Sequence, residues 1–83
     1  MVEISEIKNT ILKVLDGAIV EILNPREDGL HFEAIVISAE FEGKSLVEQH
    51  QLVMGSLKNL FASSLHAMKL KTHTPGEWEK VNQ

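Results

Sequence analysis

The chain has 83 residues, with 12 acidic against 8 basic side chains, a formal net charge of −4 and no cysteine. A chain this short forms one small domain with a thin core, burying ~60% of the surface its unfolded form exposes, so a large enclosed active-site cavity is not expected. Residues 1–83 are therefore read as a single domain. Without cysteine, disulfides, thiolate zinc sites and cysteine nucleophiles are excluded within the chain, and the negative balance sets a repulsive long-range field toward phosphate. Hydrophobic residues make up 43% and charged residues 24%, which suits an ordinary globular domain. The N-terminal residues MVEISEIKNT show no basic region followed by an apolar run, and no stretch approaches the roughly 18 apolar residues of a membrane span. A cytoplasmic location is expected.

Ile4, Ile7, Ile11, Val14 and Leu15 recur at three and four residues and predict a first helix with one apolar face. It ends at Asp16-Gly17, because glycine accepts the left-handed conformation that follows a helix. β-Branched residues from Ala18 to Leu23 and from Phe32 to Ser38 predict two strands, joined as an antiparallel hairpin by the turn-rich, mobile segment Asn24–Leu30. Phe41-Glu42-Gly43-Lys44 reads as a loop, and Ser45 with Glu48 then fits the S-x-x-E capping box at the start of a long second helix. Leu46, Val53, Leu57 and Leu60 mark its buried stripe, on which His50 also falls. His66 to Thr72 alternates as a third strand, with Met68 and Leu70 inward and Lys69 and Lys71 outward. Thr74-Pro75 opens a final short helical turn carrying Trp78. The element order is α-β-β-α-β-α.

A helical crossover between the second and third strands makes them parallel, so their starts share one end of the sheet. If the two are neighbours, His31, just before the second strand, and His66, opening the third, meet at that end. Neutral imidazole binds iron or zinc through one nitrogen, and two imidazoles leave coordination positions open for an outside partner. On spacing alone, a histidine at a strand start is an exposed or capping residue. His50 reads as a core or helix-surface residue, and His73 as a solvated one beside Lys58, Lys69 and Lys71.

Phe41-Glu42-Gly43, the helix through Val53, His66-Ala67-Met68-Lys69-Leu70-Lys71-Thr72 and Thr74-Pro75-Gly76-Glu77-Trp78 together resemble BolA-like proteins, from about Ala18 to Trp78. The combination is specific, although no single piece is. The resemblance implies a KH-like α+β fold with a three-stranded mixed sheet and helices packed on one face. It implies a non-enzymatic partner of a monothiol glutaredoxin, with a 2Fe–2S cluster bridged between glutaredoxin cysteine and glutathione on one side and BolA-type ligands on the other. The family's C-terminal histidine ligand falls on His66, and its loop histidine-or-cysteine on His31. Lys69, Lys71 and His73 are candidate partner contacts. Roles in the stress response and in transcription are also implied. Where many members carry an arginine–histidine–arginine run, this chain reads Gln49-His50-Gln51, and Met54 replaces a family tyrosine or asparagine, so the charge-poor helix is similar to the IbaG-type subgroup.

Gly43-Lys44-Ser45 matches the end of a phosphate-binding P-loop, but position 38 is serine where that motif needs glycine. A KH-like fold invites an alternative, a nucleic-acid-binding transcriptional regulator using Lys58, Lys69 and Lys71, although the G-x-x-G clamp of KH modules is missing. No nucleophile–base–orienter set points to an enzyme. A homodimer is a further possibility.

Overall fold

The computed structural model describes residues 2–81. Helix α1 spans Ile4–Val14, and Gly17, at φ +80°, turns the chain into strand β1, Ile19–Leu23. Strand β2, His31–Ile37, is followed by a 3-10 turn at Ala39–Phe41. Helices α2, Leu46–Ser56, and α3, Lys58–Ser63, lead to strand β3, Ala67–His73, and helix α4, Pro75–Val81.

The sheet order is β1-β2-β3, antiparallel between β1 and β2 and parallel between β2 and β3. This is the mixed three-stranded α+β arrangement expected from the chain order. Across the strands, Val20 aligns with Val36 and Thr72, Ile22 with Ala34 and Leu70, and Phe32 with Met68. Alternation sends these side chains to one face. There they join Ile7, Ile11, Leu15, Phe41, Val53, Leu57 and Leu65 in one hydrophobic core.

Three helix expectations change. On α1 only Ile7 and Ile11 are buried, with Leu15 just beyond, whereas Ile4 and Val14 are exposed. The contact stripe runs at intervals of four, so residues offset by three rotate off it. The long second helix is interrupted at Leu57, which is fully buried and has φ −96° and ψ 5°. Leu57 N–H bonds back to Met54 only three residues away, a tightened turn. Gly55 is a weak helix former, and the Ser56 hydroxyl donates to the Val53 carbonyl at 2.6 Å, so the interruption falls where the helix is least supported. The turn keeps Val53 and Leu57 in the core while the chain heads for β3.

Leu46 is 61% exposed, contrary to the predicted stripe, and the inward position one turn on is taken by Gln49, 7% exposed. Gln49 Nε2 donates to the carbonyls of Phe41 and Lys44, and its Oε1 accepts from the Thr72 hydroxyl at 2.7 Å. One amide thus ties α2, the loop before it and β3 together. The capping box forms as expected, with Glu48 N–H donating to Ser45 Oγ and Ser45 N–H to Glu48 Oε1. Thr74 and Glu77 make the same reciprocal pair at α4.

Candidate metal-ligand site

His31 is the first residue of β2, and its Cα partner in parallel β3 is Ala67, the residue after His66. Ala67 N–H donates to the Leu30 carbonyl at 3.2 Å, so the approaches to the two strands are bonded to each other. The two predicted histidines therefore stand at the same end of the sheet. His66 is exposed and precedes the strand, so the pleat does not set its direction. The His31 side chain is 43% exposed.

The loop before β2, expected to be mobile, is tied by several hydrogen bonds. Asn24 accepts from Glu27 N–H at 3.0 Å, and Glu27 adopts φ 54°. Turned to match its neighbours, the Asn24 amide donates to the His31 carbonyl at 3.0 Å and accepts from Gly29 N–H. Asp28 does most: Oδ1 accepts the backbone N–H groups of Leu30 at 2.9 Å and His31 at 3.1 Å, while Oδ2 lies 2.8 Å from His31 Nδ1. The Leu30 N–H first, then the His31 ring and backbone, hold the Asp28 carboxyl well below its ordinary 3.8. Asp28 was missed at the sequence level. The signal was present, because an aspartate two or three residues before a strand start is placed to close such a turn.

An open cavity of about 370 Å³ adjoins His31, with Arg26, Glu33, Ala67 and Lys69 among its walls; His66 lies outside its lining. Lys69, Lys71 and His73 share the strand parity of Ala67 and face away from the core. His73 is half-buried rather than solvated, its ring centroid 5.3 Å from that of Trp78. Lys58 starts α3, whose Leu60 and Phe61 pack on the core side of the sheet, so it does not share the outward face of Lys69 and Lys71. His50 is half-buried on α2. Among the described residues no three His, Asp or Glu side chains gather into a metal-binding group. Among the described residues no helix is long and apolar enough to cross a membrane.

The family model for BolA-like proteins matches residues 5–77. Acid stress protein IbaG of Escherichia coli (strain K12) is 33% identical over 79 residues, covering 94% of this chain and 90% of that protein. The DNA-binding transcriptional regulator BolA of Vibrio cholerae is 37% identical over 59 residues, 71% of this chain and 56% of that protein. Among solved structures, a BolA homologue from Coxiella burnetii superposes with a TM-score of 0.81 at 39% identity, covering 95% of this chain and 99% of that one.

Proposed function

The chain belongs to the BolA-like family, and on that premise we propose a non-enzymatic adaptor that docks on a monothiol glutaredoxin in the cytoplasm. It lends His66 and His31 to a 2Fe–2S cluster shared with that partner and glutathione, in cluster trafficking or in iron and redox sensing. The observation that carries this reading is the placement of two histidines at the common start of parallel β2 and β3, with Asp28 anchoring one of them. A carboxylate on the far ring nitrogen is the usual support of a metal-bound histidine, since it orients the ring and raises its basicity. Such a cluster supplies electron-transfer and exchange chemistry, at a potential set partly by imidazole in place of thiolate. His31 and His66 would contribute imidazole nitrogen lone pairs, and Arg26 and Lys69, together with Glu33, place charged groups at the cavity beside His31. Lys69, Lys71 and His73 form the adjoining strip proposed for partner contact.

The test mixes the protein with a cluster-loaded monothiol glutaredoxin and glutathione and records visible absorption and circular dichroism. Wild type is expected to change the spectra, His66→Ala to abolish most of that change and His31→Ala to reduce it. Unchanged spectra on adding wild type would sink the reading.

A nucleic-acid-binding regulator is the second reading, favoured by the relative named as DNA-binding and by Lys69 and Lys71 exposed on one open sheet face. Glu33 sits in register with Lys69, which dilutes that positive field. Titration with duplex and single-stranded oligonucleotides separates the readings, because purely electrostatic binding disappears near physiological salt.

A further inference from the structure

We infer that Asp28 is a positioning residue: it holds His31 as the tautomer protonated at Nδ1, so that Nε2 is the nitrogen free to donate to a metal. The inference rests on the adaptor reading only for what Nε2 meets; the tautomer itself belongs to this chain alone.

Three observations carry it. Oδ2 of Asp28 is 2.8 Å from His31 Nδ1, a full-strength hydrogen bond. An ionised carboxylate only accepts, so the proton between them sits on Nδ1, and a neutral ring then keeps its lone pair on Nε2. The carboxylate cannot readily turn away, since Oδ1 is fastened to the backbone N–H groups of Leu30 and His31. With Nδ1 occupied and the side chain 43% exposed at the cavity wall, Nε2 is the nitrogen left to a ligand from outside.

Asp28→Asn sharpens the test. Its remaining oxygen keeps the two backbone N–H groups capped, while the amide nitrogen, a donor, takes the place of Oδ2. His31 Nδ1 must then accept, and the ring proton moves to Nε2. The turn survives and the donor atom is lost. Asp28→Ala removes both functions and serves as the comparison.

The measurement is a long-range proton–nitrogen correlation spectrum of the metal-free, nitrogen-15-labelled protein, taken on the alkaline plateau where the ring signals no longer change with pH. Wild type is expected to show a protonated Nδ1 and an unprotonated Nε2 at His31, and Asp28→Asn the reverse, with the Leu30 and His31 backbone amide signals retained. A wild-type ring protonated at Nε2 overturns the inference, as does an unchanged tautomer in Asp28→Asn. A second arm adds cluster-loaded glutaredoxin. Asp28→Asn is expected to move the spectra toward those of His31→Ala and to weaken the complex about 10–100-fold, as loss of such a supporting contact does at metal sites. If the tautomers behave as expected but neither variant alters the cluster spectra, the tautomer assignment is upheld and His31 is removed from the ligand set.

Discussion

The Thr72 hydroxyl and the Gln49 amide meet between β3 and α2, both nearly out of contact with solvent. Replacing Thr72 by valine preserves shape but leaves Gln49 Oε1 without its donor, and a buried unsatisfied acceptor costs roughly 1–3 kcal/mol. Urea unfolding of Thr72→Val should show a loss in that range with an unchanged slope; a loss below about 0.5 kcal/mol would mean that water or a rearranged amide replaces the bond. At the sequence level Gln49 registered only as a missing positive charge. Its role as a tie was illegible because its partners, Phe41, Lys44 and Thr72, converge only after folding. Asp28 differs, because all its partners lie within three residues and its turn could have been read locally.

At the scale of elements, the starts of α2 and α4 were the most legible features. Ser45 with Glu48 and Thr74 with Glu77 both close into reciprocal caps, since each needs only residues three apart. Ser45→Ala should destabilise the protein by roughly 0.5–2 kcal/mol at neutral pH, read by chemical denaturation. Glu48 is held below its ordinary 4.5 chiefly by the Ser45 backbone N–H, and Glu77 likewise by that of Thr74. Groups with a depressed folded-state pKa contribute stability that is present above about 4.5 and lost as pH falls through the folded value. Stability should therefore decline below about pH 4.5, and Glu48→Gln, which keeps an acceptor without the charge, should flatten part of that decline. The interruption at Leu57 was not legible, because the apolar spacing runs through it and only the path toward β3 calls for a bend.

Across the whole molecule the core is small, and the chain folds to a radius of gyration of 12.5 Å. Phe41, placed in a loop by the sequence, lies in the 3-10 turn and is fully buried. Truncating a buried phenylalanine to alanine costs about 3–5 kcal/mol, against a total of about 0.05–0.15 kcal/mol per residue for a typical domain. Phe41→Ala should thus remove a large share of the stability, leaving a protein that is marginally folded at 25 °C. A thermal melt checks this, and a shift of only a few degrees would show that the surrounding side chains collapse into the space.

Local pattern determined the strands, the caps, the absence of cysteine chemistry and the parallel pairing forced by a helical crossover. Each depends on residues close in the chain or on rules of connection. The shared sheet end of His31 and His66 followed once β2 and β3 were taken as neighbours, and the register of His31 with Ala67 places them there. Tertiary structure alone decided which apolar residues reach the core, turning Leu46 out and Gln49 in. It also put Lys58 on a different side of the sheet from Lys69 and Lys71. Those outcomes depend on how a helix rotates and bends against the sheet, which is set by the summed packing of residues distant in sequence.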